Sequence, residues 1–192
     1  MSSQSTNKAD AILDAAADLF ARRPFHEVRL EEIAANAKVG KGTVYLYWTS
    51  KEDVYLAVVR RGFAAVVERV ERELPICGDQ AWDQISAILN AVIDFAFAHP
   101  GVYRIMRSGV LTPEDPELQR IRQRLTDRIE GVLREGVAKG QLQDECPALT
   151  TQYLLSFVRG AVLYPVPGMT ANSLRTHVLG ILRRGIDGGR LA

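Results

Sequence analysis

The sequence has few of the features that mark secreted, membrane or metal-binding proteins. Only two of its 192 residues are cysteines, Cys77 and Cys146. They lie far apart, with no histidine or cysteine nearby at metal-ligand spacing, so neither a disulfide framework nor a metal site is expected. No run of about 18 or more apolar residues occurs to span a bilayer, and the stretch from Met1 to Lys8 lacks the apolar core of a secretory signal. We therefore expect a cytoplasmic protein that does not bind membranes.

The sequence also offers little for catalysis. Its three histidines, His26, His99 and His177, are isolated from one another. No Glu-x-x-His metal pair, no Ser, His and acid arrangement and no glycine-rich phosphate loop can be argued, so we expect neither an enzyme nor a cofactor. The formal net charge is only +1. Any affinity for nucleic acid must therefore come from a local concentration of charge.

The spacing of apolar residues predicts an all-α fold. Apolar side chains recur every three or four positions, as in Ile12, Ala16 and Leu19, and sustained two-residue alternation is missing. Proline and glycine clusters separate the amphipathic segments. About nine helices are predicted, spanning Lys8–Arg22, Leu30–Ala37, Lys41–Tyr47, Lys51–Leu74, Ala81–His99, Val102–Arg107, Pro116–Lys139, Ala148–Leu163 and Ala171–Asp187.

The lengths of these helices predict two domains. The first three are short and closely spaced, which is typical of a helix-turn-helix head, and most of the later ones are long, as in a helical bundle. We place a helix-turn-helix DNA-binding domain at residues 1–50 and a helical bundle at residues 51–192. In such a head the third helix enters the major groove of DNA, and here it follows a turn from Asn36 to Gly40.

The third helix carries the residue types that a groove-binding surface needs. Between Ile33 and Lys51 the sequence has three lysines and no Asp or Glu. Lys41 and Tyr45 are four residues apart and share one face, where an ammonium and a phenol can reach phosphates or base edges. Gly42 costs about 1 kcal/mol relative to alanine inside a helix, but it lets the backbone approach a duplex closely.

Other residues of this segment leave two interpretations open. Thr43 is either a DNA contact or a local cap, and Tyr47 belongs either to the DNA face or to the core. Val44 and Trp48 are expected to pack on the head's own core. Ser50 begins a capping box for the fourth helix, which places Lys51 where a phosphate would bind, although capping alone explains the pattern.

Taken in order, these segments resemble the TetR family of bacterial regulators. The resemblance covers about the first quarter of the chain and is carried by Ile12–Phe20, Leu30–Ala34, Val39–Trp48 and Ser50–Val54. It implies that Lys41, Gly42, Thr43, Tyr45 and Tyr47 lie at or near DNA and that Lys51 contacts a phosphate. It also matches Arg29 to a position that often contacts the DNA backbone. Many members have threonine there, so the capping of the second helix is in doubt, because arginine has no acceptor for this role.

The body of the chain is interpreted from its pattern alone. The fifth helix is apolar over most of its circumference and is therefore expected to be buried between other helices. An apolar cavity with few polar groups is one outcome and a filled core is the other. Arg107 would either pair with an acidic ligand or form a surface salt bridge. The candidate pocket residues are Trp82, Leu89, Ile93, Phe97, Tyr103, Met106, Arg107 and Phe157.

We therefore expect a TetR-like repressor that binds a palindromic double-stranded DNA operator as a dimer and is released by an unidentified small-molecule effector. The resemblance implies a homodimer formed through the last two helices, whose apolar content would suit such burial. The alternative is a helical small-molecule-binding protein or bundle enzyme without specific DNA binding. A further alternative is a DNA-binding protein with a filled core and no effector.

Overall fold

The computed structural model describes the backbone of residues 3–107 and 115–186 and the side chains of residues 8–106 and 115–186. The described chain forms nine α-helices and no β-strand, which confirms the all-α class. Short 3₁₀ turns follow the first and fourth helices, at Phe25–Glu27 and Leu74–Ile76. The helices are α1 Ser3–Arg22, α2 Leu30–Asn36, α3 Lys41–Tyr45, α4 Lys51–Glu73, α5 Ala81–Ala98, α6 Pro100–Arg107, α7 Pro116–Ala138, α8 Pro147–Leu163 and α9 Ala171–Ile186.

The predicted helix bounds differ from these by a few residues. α8 begins at Pro147 and α6 at Pro100, one and two residues before the predicted starts. Proline is favoured at the first helical position, where its missing N–H would have no partner within the helix. α3 ends at Tyr45, two residues earlier than predicted. The predicted end of α9 at Asp187 lies outside the described residues.

The chain divides into two compact units. Unit 1 comprises residues 1–63 and 99–118, and unit 2 comprises residues 64–98 and 119–192. The predicted functional division at residue 50 differs from this one, because the first half of α4 and all of α6 join the head. α6 packs against α1, and a Cβ atom on Gly101 would lie 2.4 Å from the Cβ of Ala21. This close approach of two helices therefore depends on glycine at position 101.

The core of unit 1 is built from the amphipathic faces that the sequence pattern predicts. Ile12, Ala16, Ile33 and Val44 are completely buried. A cluster of three rings packs beside them: the ring centroids of Phe20 and Phe25 are 5.7 Å apart, and Tyr55 meets both edge-on at 5.1 and 5.2 Å. Such edge-to-face pairs add to the stability that burial provides.

The turn between α2 and α3 is closed by a Schellman motif. The Val39 N–H donates to the Ala34 carbonyl at 3.0 Å, and the Lys38 N–H donates to the Ala35 carbonyl at 3.1 Å. Lys38 has a φ of 55°, the left-handed conformation that this motif requires and that glycine usually supplies. The motif ends α2 sharply and allows α3 to start at Lys41.

Unit 2 is organised around α5, which packs against α8 and α9. Ala91, Ile93 and Ala96 of α5 are completely buried, which confirms that this helix is central. Its half-buried Asp94 accepts hydrogen bonds from Arg69 of α4 at 2.7 Å and from Arg175 of α9. Three helices of the unit are thus joined through one carboxylate.

Candidate nucleic-acid interface and effector cavity

The face of α3 that points away from the core carries the side chains predicted to meet DNA. Tyr45 is 47% exposed, and Tyr47, two residues after the end of α3, is 37% exposed, whereas Val44 is completely buried inside unit 1. The Lys41 side chain is also half exposed. Thr43 is half-buried at the edge of this face. The prediction that Val44 packs inward is confirmed, and Trp48 beside it is half-buried against the ring of Tyr47.

Gly42 lies exposed on the same face, and no neighbouring atom accounts for the glycine. A Cβ atom built at this position would meet nothing within 4 Å. Its backbone is part of α3, where glycine is less favourable than alanine by about 0.5–1 kcal/mol. No contact inside unit 1 therefore offsets this cost, and the open space at Gly42 faces outward.

An acidic residue from α2 reaches this surface. Lys41 Nζ lies 2.5 Å from Glu31 Oε1, and both side chains are more than half exposed. The ion pair raises the pKa of Lys41 above its usual value and lowers the pKa of Glu31 below its own, mainly through the hydrogen bond between the two groups. The segment from Ile33 to Lys51 has no Asp or Glu of its own, but the fold brings Glu31 of α2 to the surface that this segment forms.

Arg29 is exposed at the N-cap of α2, as a backbone-contacting residue would be. Its side chain makes no capping hydrogen bond. The Arg29 N–H instead donates to Glu32 Oε2 at 2.8 Å, and Arg23 Nη1 holds the other oxygen of that carboxylate at 2.6 Å. These two bonds hold the pKa of Glu32 below its usual value. Glu32 therefore supplies one half of a capping box, so the N-terminus of α2 is partly capped although arginine is its N-cap residue.

Lys51 is engaged inside unit 1, a role that the sequence did not indicate. Its ammonium donates hydrogen bonds to the carbonyls of Phe25 at 2.8 Å and Val28 at 2.9 Å, and lies 4.3 Å from the centre of the Phe25 ring. An ammonium has three donors. The predicted phosphate contact is therefore left at most one N–H, and Lys51 first of all holds the 3₁₀ turn before α2.

Unit 2 contains a small apolar cavity among α5, α7 and α8. The space left for the centre of a water-sized molecule is about 10 Å³, roughly what one water needs. All its lining side chains are aliphatic, and four of them lie on one face of α5. They are Ile85, Ile88, Leu89, Val92, Ile129, Leu154, Leu155 and Val158.

Most predicted pocket residues lie elsewhere. Among the residues lining this cavity, only Leu89 was predicted. Ile93 is buried on another side of α5, Phe97 is half-buried, and the ring of Trp82 lies 5.7 Å from the Arg183 guanidinium. Phe157 is 37% exposed. Spacing identified α5 as central, but it did not identify which of its faces borders a void.

Two of the remaining pocket candidates belong to unit 1. Tyr103 and Met106 are buried there on α6, and the Met106 sulfur would lie 2.6 Å from a Cβ atom on Gly62 of α4. Met106 therefore packs against α4 within unit 1. The side chain of Arg107 lies outside the described residues.

α8 and α9 present an apolar surface that no other described residue covers. Leu149, Tyr153 and Phe157 of α8 are 42%, 53% and 37% exposed, and Ile181 of α9 is 37% exposed. Other apolar residues of these helices face the core of unit 2 instead. These are Leu154, Val158, Leu174, Val178 and Leu182.

The described residues provide neither a clear membrane-spanning helix nor a metal cluster. No single described helix is long and apolar enough to cross a bilayer, although α5 and α6 up to Met106 together meet that test as a bent pair. No group of three or more His, Cys, Asp or Glu side chains in the described part of the chain could hold a metal ion.

The chain is similar to known transcription regulators along most of its length. Residues 12–58 match the family model described as bacterial regulatory proteins, tetR family. Residues 85–186 match the model of the tetracyclin repressor-like C-terminal domain. The second match alone spans more than half of the chain. The protein therefore belongs to the TetR family of bacterial regulatory proteins.

Individual relatives agree with this assignment. The fatty acid metabolism regulator protein of Bacillus subtilis is 25% identical over 69% of this chain and 70% of its own length. The HTH-type transcriptional repressor SCO4008 of Streptomyces coelicolor is 28% identical over 80% of this chain and 78% of its own length. The crystal structure of AibR in complex with isovaleryl coenzyme A and operator DNA has a TM-score of 0.75 at 21% identity, covering 91% of this chain and 97% of that one.

The family settles the class of function. The protein is a ligand-responsive DNA-binding transcription regulator with a helix-turn-helix head, and it is not an enzyme. This confirms the resemblance inferred from the head and rejects the alternative of a bundle enzyme.

Proposed function

We propose that the protein is a repressor that binds a palindromic operator as a homodimer and leaves it when an apolar small molecule occupies unit 2. Residues 1–50 would form the DNA-binding domain, and residues 51–192 would bind the effector and the second subunit. The two copies of α3 would enter successive major grooves, about 34–36 Å apart. Arg29, Lys41, Gly42, Thr43, Tyr45 and Tyr47 are the proposed DNA contacts, with Lys51 contributing its remaining N–H.

The exposed face of α3 is the observation that carries this proposal. Lys41 and Tyr45 point outward, while Val44 is buried and holds the helix in place. No contact inside unit 1 requires glycine at position 42. A helix presented in this way fits the width of the major groove, where an ammonium reaches guanine acceptors or phosphates. Gly42 would then let the backbone of α3 approach DNA closely, and this contact would offset the low helix propensity of glycine.

Selection of duplexes from a random pool tests the DNA-binding surface. The unmodified protein should enrich a two-fold symmetric sequence with half-sites one helical turn apart. Lys41→Ala should weaken binding to the enriched duplex and reduce the salt slope by about 0.9 for each phosphate that lysine no longer neutralises. Lys8→Ala, which removes an exposed lysine of α1, is the matched control. Equal affinities and slopes for both variants would remove Lys41 from the interface.

The exposed apolar surface of α8 and α9 supports the homodimer. Leu149, Tyr153 and Phe157 follow one another at intervals of four residues, which places them on one face of α8, and Ile181 adds to it from α9. Contiguous exposed apolar groups of this kind mark an interaction surface. A second copy of the same helices would cover them across a two-fold axis, as expected for an isologous interface.

The aliphatic cavity supports an effector with an apolar chain. The eight lining side chains provide no polar group, so an acyl chain would suit them better than a charged or aromatic compound. The names of the Bacillus subtilis relative and of the AibR complex favour the acyl-thioester class. Room for about one water means that binding would require side chains or helices to move, so the effector would favour a minor, opened state.

Titration of the protein–DNA complex tests the effector class. Acyl-coenzyme A compounds of increasing chain length should release the enriched duplex, whereas free coenzyme A should not. Leu155→Phe, which adds volume to the cavity lining, should raise the acyl-thioester concentration needed for release and leave DNA affinity in its absence unchanged. Equal release by free coenzyme A would contradict an apolar site.

A further inference from the structure

The environment of Lys41 is more restrictive than that of an ordinary surface lysine. Its ammonium lies 2.5 Å from Glu31 Oε1 and 5.7 Å from the centre of the Tyr45 ring. The carboxylate comes from α2 and the ring from the next turn of α3, so the cation is held between two elements. In the free protein, the positive charge predicted to meet DNA is therefore already neutralised.

This ion pair determines whether a phosphate or a base edge can bind favourably at Lys41. The Lys41 ammonium has donors left beside its bond to Glu31, but a phosphate that accepts from one of them comes close to the Glu31 carboxylate. Repulsion between two such anions opposes the contact. A base edge presents both donors and acceptors. The amino groups at cytosine N4 and adenine N6 can donate to a carboxylate, and guanine O6 and N7 can accept from lysine. Both members of a Lys–Glu pair can thus bind base edges, whereas at a phosphate the carboxylate opposes the contact that the lysine makes.

We propose that Glu31 is a specificity-determining residue, whose carboxylate neutralises Lys41 and suppresses binding to DNA that lacks the operator sequence. The inference rests on the proposed role of α3 in DNA binding. It assigns to α2, the bracing helix of the head, a direct part in discrimination. Non-specific affinity arises almost entirely from phosphate contacts, so a residue that penalises such contacts raises the ratio of specific to non-specific affinity.

The test compares Glu31→Gln with Asp18→Asn in the full-length protein. Both substitutions remove one negative charge and take the formal net charge from +1 to +2. Asp18 also forms an exposed ion pair, with Arg22 at 2.7 Å on α1. Affinity is measured against salt for two duplexes of about 30 base pairs, roughly three helical turns. One has mixed sequence and the other is the sequence enriched by the unmodified protein.

Glu31→Gln should raise affinity for the mixed-sequence duplex by about two- to fivefold per head, the range expected for freeing one partner of an exposed ion pair. Its salt slope should steepen by up to about 0.9 per head. Affinity for the enriched duplex should rise less or fall, so the specificity ratio declines. Asp18→Asn should change both duplexes alike and only slightly. A gain equal to that of Asp18→Asn, or a rise favouring the enriched duplex, would overturn the inference.

A double-mutant cycle with Lys41→Ala identifies the cause and separates the two proposals. In the Lys41→Ala background, Glu31→Gln should no longer raise non-specific affinity, because no cation remains to be released. Persistence of the gain would show that Glu31 repels DNA without Lys41, contrary to the inference. If Lys41→Ala weakens binding but Glu31→Gln matches Asp18→Asn, only the inference fails. If Lys41→Ala itself has no effect, the proposed DNA surface fails and the inference with it.

Discussion

Replacing Lys51 with methionine should destabilise the head, because the ammonium of this residue holds the 3₁₀ turn between α1 and α2. Methionine keeps the length and apolar stem of lysine and removes only the charged donor. The two carbonyls that accept from Lys51, those of Phe25 and Val28, belong to the segment that leads into α2. The substitution therefore removes a link between α4 and that segment without creating a large void.

The size of the effect follows from the interactions that the Lys51 ammonium makes. Two charge-assisted hydrogen bonds to partly buried carbonyls contribute about 1.5 kcal/mol each once competition with water is counted. The cation–π interaction with Phe25 at 4.3 Å adds about 0.5–1 kcal/mol. Release of the ordered side chain returns about 1 kcal/mol of conformational entropy. The net destabilisation is about 2.5–3 kcal/mol, which lowers Tm by about 5–12 °C in a chain of this size.

Thermal unfolding followed by circular dichroism measures this destabilisation, with Lys8→Met as the control for removing an exposed lysine charge. The DNA salt slope of Lys51→Met, measured below the unfolding transition, distinguishes positioning from phosphate contact. A lower Tm with an unchanged slope indicates positioning alone, and a slope smaller by about 0.9 per head adds a phosphate contact. A Tm equal to that of Lys8→Met would refute the reasoning from the hydrogen bonds.

Two further variants test the proposed subunit interface and the packing of α6 on α1. Tyr153→Asp combined with Phe157→Asp should make the proposed dimer sediment as a monomer. Both side chains are exposed on α8, so fold stability should change little, and dimers that persist in the variant would place the interface elsewhere. Gly101→Ala should lower stability by about 1–3 kcal/mol in denaturant unfolding, because its Cβ would lie 2.4 Å from Ala21 Cβ. Gly131→Ala is the matched control, because its Cβ would meet nothing within 4 Å. Helix propensity alone then predicts unchanged or slightly higher stability. A decrease equal to that of Gly101→Ala would count against the clash as the cause.

The features predicted well from sequence are those set by short-range periodicity. Apolar spacing in the head predicts the buried faces that Ile12 and Val44 occupy, and the uniformly apolar α5 is central in unit 2. Proline and glycine positions locate the helix ends to within a few residues, because their backbone constraints act locally. For Tyr47, just after α3, periodicity alone leaves two interpretations open, and the family motif favours the outward-facing one.

The features missed from sequence depend on contacts between distant segments. Glu31 and Lys41 are ten positions apart on different helices, and only the angle set by the turn at Lys38 brings them together. Lys51 donates to backbone carbonyls, which leave no signature in side-chain identity. The cavity is also invisible to periodicity, since the spacing of Ile85 and Leu89 is the same whether their neighbours fill the core or leave a void.

One face of α5 lines the proposed effector cavity, and the opposite face binds α4. Ile85, Ile88, Leu89 and Val92 line the cavity, while Asp94 lies about half a turn away from this row and binds Arg69 of α4 at 2.7 Å. An apolar ligand that displaces α5 must therefore either carry Arg69 along or break a half-buried ion pair. α4 runs without interruption to Lys51, whose ammonium holds the turn before α2. The effector then changes DNA affinity only to the extent that it binds one position of α5 more tightly than the other.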